Sequence, residues 1–207
     1  MKTILFQGDS ITDCGRDKSD PGSLGSGYAM LAAKLLEEKY PGQFRFVNRG
    51  INGNAVEQIY ARRQADIFDV KPDFMSVLVG VNDAFREVAG TRDVEQFVTD
   101  YDLLLTEIKA QLSGVKLMLM EPFVNEGTNT QKKIEAYECA VAMRSEAVQM
   151  LCAKHDVFFL PLQFDLYELE EQHPAGHWTL DGVHPTLNFH EYIAQKWVKA
   201  FEIYLNK

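Results

Sequence analysis

Ser10 follows a short apolar run, Ile4-Leu5-Phe6, and the turn residues Gly8 and Asp9. A serine hydroxyl is a weak nucleophile until a base removes its proton. The chain supplies a candidate base far downstream, His184, three residues after Asp181. Histidine, with an ordinary pKa of about 6.5, can take and return a proton near neutrality. An aspartate at that spacing, on a loop or single turn, can accept a hydrogen bond from the imidazole, fix its tautomer and stabilise the imidazolium. Attack on a carbonyl carbon would then build a negatively charged oxygen that needs preorganised donors. The N–H groups of Ser10 and Gly53 and the side chain of Asn82 are the candidates, and glycine at position 53 would leave that oxygen room to approach. Together these residue types describe acyl transfer.

The elements between them predict how they meet. Short apolar runs at 2–7, 44–48, 74–79, 115–120 and 157–160 read as strands. Segments with helical spacing separate them: 28–40, 56–68, a stretch with Phe97, Tyr101, Leu105, Ile108 and Leu112 in phase, 131–154, and a C-terminal segment carrying Ile193, Trp197, Ala200, Phe201 and Tyr204 on one face. Strands alternating with helices imply right-handed crossovers and a parallel sheet covered on both sides, in one domain over residues 1–207. Ligands of such sheets bind beyond the carboxyl ends of the strands. The candidate residues fall there: Ser10 after the first strand, Gly50 and Gly53 after the second, Asn82 after the third. The loop carrying Asp181 and His184 precedes the last helix and can return to the same edge.

Four blocks in this order resemble a known family. Gly8-Asp9-Ser10 within GDSITDCGR, Gly53 within NRGINGN, Gly80-Val81-Asn82-Asp83, and Asp181-Gly182-Val183-His184-Pro185 are similar to the conserved blocks of the SGNH, or GDSL, hydrolases. They span residues 8 to 185 and so nearly the whole chain. The resemblance implies an α/β fold, a flavodoxin-like three-layer αβα sandwich on a five-stranded parallel sheet. It also implies no cofactor and ester hydrolysis through an acyl-enzyme, with Ser10, Asp181 and His184 catalytic and Ser10, Gly53 and Asn82 forming the oxyanion hole. Within the family the blocks look most like single-domain acetylxylan esterases, which implies an acetylated sugar as the small-molecule substrate. Relatives that act on lysophospholipids or acyl-thioesters supply the alternative. The G-x-S-x-G elbow of α/β-hydrolases is absent.

Composition narrows the partners. Lys and Arg number 21 against 30 Asp and Glu, a net charge of −9, and the basic residues are scattered. That argues against nucleic acid and anionic membrane surfaces, which reward clustered positive charge. Cys14, Cys139 and Cys152 are odd in number and form no C-x-x-C pair, so reduced thiols and a cytoplasmic address are expected. The run after Met1 is too short for a secretory signal. Phe85, Phe123, His177 and Trp178 fall on expected loops at the catalytic edge and are candidate substrate contacts. Two other function classes use the same residues: a non-catalytic binding module, and a metal-dependent phosphoesterase built on Asp9, Asp181 and His184. An Asp/His pair alone supplies too few ligands for a catalytic zinc, so no metal site is assigned. Nothing in the sequence decides whether copies of the chain associate.

Overall fold

In β1 (Lys2–Gly8), Ile4 and Phe6 point to one side of the sheet and Leu5 to the other, and all three are buried. A strand that buries both its faces needs apolar residues at successive positions, which is why the strands read as continuous apolar runs. The structure, a computed structural model, describes residues 1–173 and 176–205. β1 joins β2 (Phe44–Asn48), β3 (Phe74–Leu78), β4 (Lys116–Met120) and β5 (Phe158–Leu160) in one parallel sheet of order β2-β1-β3-β4-β5. Ile4 sits in register with Phe46 on one side and Phe74 on the other.

Helices cover both faces. The side reached by Ile4 and Phe6 packs on α2 (Tyr28–Lys39) and α8 (Leu187–Leu205), with Tyr28, Phe189 and Trp197 fully buried. The side reached by Leu5, Met75 and Leu119 packs on α3 (Val56–Ala61), α5 (Val94–Gln111) and α6 (Ile134–His155). Three further short helices complete the set: α1 (Ser10–Asp13), α4 (Val81–Val88) and α7 (Gln163–Glu170). The result is the expected three-layer αβα sandwich with flavodoxin-like strand order. No helix among the described residues is long and apolar enough to cross a membrane.

Local chemistry sets the helix ends. Asp93 caps α5 reciprocally: its carboxylate accepts from the Gln96 N–H at 2.9 Å and its own N–H donates to the Gln96 side chain at 3.1 Å. The helix expected over 56–68 is interrupted. α3 stops at Ala61 and the chain resumes as a π-helical turn, Gln64–Phe68. Between them Arg62 turns inward and donates to the Gln7 side chain at 2.7 Å and the Arg49 carbonyl at 2.8 Å.

Chain order reverses direction across the sheet between β1 and β3. From β1 the chain moves out to β2, then returns to the far side of β1. Such a switch point parts the connections that follow the two strands and leaves a crevice beyond their carboxyl ends.

Candidate active site

β1 ends where the chain must turn out of the sheet hard against β3. A Cβ on Gly8 would lie 2.3 Å from the Leu78 carbonyl oxygen and 2.4 Å from the Thr12 hydroxyl, so glycine is needed for the close approach. Asp9 then caps α1, its carboxylate accepting from the Ile11 N–H at 3.0 Å. Ser10 opens α1 and stands half-buried at the crevice. Its Oγ lies 2.9 Å from His184 Nε2.

The loop before α8 builds the other half. A bridge between Thr179 and Pro185 closes it, and the Leu180 N–H donates to the His184 carbonyl at 3.0 Å. Inside this closed loop one carboxylate oxygen of Asp181 accepts from the Val183 and His184 N–H groups at 3.0 and 2.8 Å. The other lies 2.8 Å from His184 Nδ1 and accepts from Asn129 Nδ2 at 2.7 Å. An ionised carboxylate only accepts, so Nδ1 carries the proton and Nε2 is left to accept from Ser10. Partial burial pushes the Asp181 carboxyl up. The hydrogen bonds from the His184 and Val183 N–H groups and the His184 ring outweigh it and hold the group below its ordinary value. Asp181 is thus ionised where it faces the imidazole.

Asn82 sits in the first turn of α4, just past β3. Its Nδ2 donates to the Asn54 carbonyl at 3.0 Å and lies 3.4 Å from an Asp9 carboxylate oxygen, which brings the amide beside the turn that carries Ser10. Among the described residues neither the Ser10 N–H nor the Gly53 N–H has an acceptor. Gly53 has a backbone reason to be glycine beside the one read from sequence. Its φ is +76°, a left-handed conformation, whereas a Cβ there would meet no atom within 4 Å.

Asp9 is fully buried directly behind Ser10. Burial pushes its carboxyl up to about 7, against the hydrogen bond from Ile11 and the attraction of His184. On the other flank His190 is buried and held down at about 4 by its burial. Its Nδ1 accepts from the Tyr28 N–H at 3.1 Å, so its proton is on Nε2, 3.4 Å from Cys14 Sγ.

Ser10, Cys14, Arg16, Asn52, Leu180 and His184 are among the residues lining an open cleft of about 490 Å³. None of the four aromatic candidates lines it. Phe123 is completely buried, edge-on to Phe189. Trp178 is buried too, its Nε1 donating to the Leu169 carbonyl at 2.9 Å. Phe85 lies on α4, not on a loop, and packs on Tyr137 at 4.2 Å. His177 stacks on His173 at 4.3 Å and pairs with Asn188. These rings serve the core and the loop scaffold, which large apolar side chains do more often than they line clefts. No group of three or more His, Cys, Asp or Glu side chains among the described residues is arranged to hold a metal ion, so Asp9, Asp181 and His184 do not converge as ligands.

Sequence reasoning did not identify Asn129, Asn54 or Arg92, whose Nε lies 3.2 Å from the buried Asp83 carboxylate. Each acts through a contact between distant segments, and no local pattern marks it.

A GDSL-like lipase/acylhydrolase family model matches residues 6–192. The chain belongs to this family. An acetylxylan esterase from Geobacillus stearothermophilus is 32% identical over 210 residues, covering 95% of this chain and 92% of the relative. The crystal structure of a provisionally assigned GDSL-like lipase from Parabacteroides merdae superposes with a TM-score of 0.91 at 33% identity, over 96% of this chain and 94% of that one. The crystal structure of the acetylxylan esterase Axe2 from Geobacillus stearothermophilus gives 0.84 at 29% identity, over 96% of this chain and 93% of that one. The protein is accordingly a carboxylic ester hydrolase of this family.

Proposed function

We propose that this acylhydrolase removes short acyl groups, chiefly acetyl, from a carbohydrate alcohol such as an acetylated xylo-oligosaccharide, with Ser10 as nucleophile, His184 as base and Asp181 as its orienting partner. The observation that carries the reading is the unbroken hydrogen-bonded chain from Ser10 Oγ through His184 to Asp181, at 2.9 and 2.8 Å, opening on the cleft. Ser10 Oγ attacks the ester carbonyl carbon as its proton passes to His184 Nε2. The carbonyl oxygen becomes negative and is met by the Ser10 and Gly53 N–H groups and Asn82 Nδ2. The intermediate collapses, the C–O bond to the alcohol breaks, and the alcohol leaves with the proton from His184. Water then attacks the acyl-serine by the same route and releases acetate and free Ser10.

Two further observations favour a short acyl group on a polar alcohol. The cleft is open, and Arg16, Lys18 and Asn52 are among the residues that line it. Solved variants of the Geobacillus esterase, in which a serine, an aspartate or a histidine three positions after that aspartate is replaced by alanine, are described as catalytic mutants, and another of its structures names it an acetyl-xylooligosaccharide esterase. Asp181 and His184 have the same spacing.

The test is hydrolysis of p-nitrophenyl esters from acetate to decanoate, with acetylated xylo-oligosaccharides as a second panel and Ser10→Ala alongside. Ser10-dependent turnover concentrated on acetate, with acetate released from the oligosaccharides, is expected. A preference for long chains would move the reading to a lysophospholipase or thioesterase. Absence of any Ser10-dependent turnover would favour a binding module.

A further inference from the structure

Two of the three proposed oxyanion donors lie away from Ser10, Gly53 on the segment between β2 and α3 and Asn82 in the first turn of α4. Their distance from Ser10 depends on what holds that segment. Its near end is tied to the nucleophile's turn: the Ile51 N–H donates to the Gly8 carbonyl and the Asn52 N–H to the Asp13 carboxylate, both at 3.1 Å. Its far end is tied to α4 by two successive residues. Asn82 Nδ2 donates to the Asn54 carbonyl at 3.0 Å. The Val56 N–H lies 3.4 and 3.3 Å from the two carboxylate oxygens of Asp83.

Asp83 is completely buried, a costly place for a carboxylate without a partner. Its partner is Arg92, only 8% exposed, whose Nε donates to it at 3.2 Å. Arg92 also binds Glu57, the residue after Val56, at 2.6 Å, and pairs with Asp100 on α5. Arg144 of α6 donates to the Asp83 carbonyl at 3.2 Å. Charged side chains from α3, α4, α5 and α6 thus gather around the buried Asp83–Arg92 pair behind the donor segment.

We propose that Asp83 and Arg92 are positioning residues of the oxyanion hole, holding the Gly53 N–H and the Asn82 amide at a fixed separation through the Val56 N–H. This rests on the assignment of Ser10 and those donors under the proposed function. Because the donors act on charge that exists only once attack begins, displacing them slows turnover and leaves ground-state binding nearly intact.

The charged and titratable groups facing Asp83 are Arg92 from the α4–α5 connection, Arg86 on α4, Arg144 from α6, Asp9 from the β1–α1 turn and Tyr101 on α5. Burial pushes the Asp83 carboxyl up to about 6 although three arginines oppose it. Withdrawing Arg92 pushes it further up, so the protonated form, with no charge to hold, intrudes from the acid side.

The experiment is steady-state kinetics on p-nitrophenyl acetate against pH, with thermal melts of every variant to fix the folded fraction. Asp83→Asn is expected to lower kcat by about ten- to hundredfold, the size of other outer-shell losses, with KM held within about twofold. Arg92→Met is expected to move the acid limb of kcat to higher pH, and Arg92→Lys to move it less. The double variant Asp83→Asn/Arg92→Met, which has no titrating carboxylate at this position, is expected to return that limb to the wild-type position or below it while kcat stays low. If Arg92→Met does not fold, Arg92→Lys and the double variant carry the test, and kcat must fall in both at constant KM. Wild-type kcat in folded Asp83→Asn, a loss that only tracks the folded fraction, or an acid limb that no arginine variant moves would each overturn the proposal. Ser10→Ala separates the two levels. Turnover that survives it removes the functional reading, whereas Ser10-dependent turnover with unaltered Asp83→Asn kinetics removes the positioning role alone.

Discussion

The two halves of the site are built by opposite means. On the side proposed for proton transfer the His184 side chain is 45% exposed and Asp181 18%. They are held by contacts within the loop 179–185 and by hydrogen bonds from the single segment 125–129, where the Asn125 and Asn129 N–H groups and the Asn129 side chain reach it. On the side proposed to donate to the oxyanion Asp83 is fully buried and Arg92 nearly so, and four helices contribute charges. As the proposed base, His184 has to exchange protons with substrate and water, so it has to stand in the open and needs only the right tautomer. Donors to a developing charge must be in place before the charge appears, because moving them during the reaction would forfeit their advantage. Exposure suits the first task and buried, over-determined contacts suit the second.

The sharpest way to break this comparison is to strike the exposed side. Ser10→Ala and His184→Ala are each expected to lower kcat on p-nitrophenyl acetate by about 10⁴-fold or more, with little change in melting temperature. Asp181→Asn should cost about 10³- to 10⁴-fold, because an amide cannot hold Nδ1 protonated in the same way. A loss of only a few fold in any of these would mean that the hydrogen-bonded chain is not the reacting one. The donor side comes next. Asn82→Ala should reduce kcat by about 10²- to 10³-fold, as removal of one oxyanion donor does elsewhere. A larger loss in KM than in kcat would show that Asn82 binds the ground state and would dissolve the distinction between the halves.

The exposed half was the easier one to read from sequence. Asp181 and His184 are three residues apart, so their pairing is a local property of one loop. Ser10 and Asn82 could be brought to it because strands of a parallel sheet deliver their following residues to one edge. The five strands were legible for a related reason, since burial on both faces leaves long apolar runs. Helices α1, α4 and α7, of four, eight and eight residues, were not, because two turns are too few to display a helical period. The α4 omission displaced Phe85 from a helix onto an expected loop. The buried half was hardly legible at all. The partners of Asp83 lie on α3 and α6 and in the segment between α4 and α5, and composition gives no hint that Arg92 or Arg144 is buried. Phe123 and Trp178 were misplaced for the converse reason. Position beyond a strand says that a residue is near the site, not which way its ring turns, and the core claimed both.

Asp9 lies between the halves and offers the mildest test. Its carboxylate is buried, capping α1 on one side and 3.4 Å from Asn82 Nδ2 on the other. Its pKa rises from about 3.8 unfolded to about 7 folded, so the folded protein binds this proton more tightly. The folded state therefore carries more protons than the unfolded one between these values, and stability falls as pH rises through that window. Asp83, raised to about 6, acts in the same direction over a narrower range. His190, lowered to about 4, acts oppositely, its contribution being lost as pH falls from 6.5 towards 4. Subtracting the wild-type melting curve from that of Asp9→Asn cancels most of both. Asparagine can still accept from the Ile11 N–H, so the cap survives. The variant should melt close to wild type at pH 4 and a few degrees higher at pH 8, a difference on the order of 1–3 kcal/mol. Its kcat at pH 8 should stay within about tenfold of wild type, since the Asn54 carbonyl still holds the Asn82 amide. A variant less stable than wild type at pH 8 would mean that the ionised carboxylate is a structural partner. Asp9 would then belong with Asp83 in the buried half rather than serving as a capping group that burial keeps close to neutral.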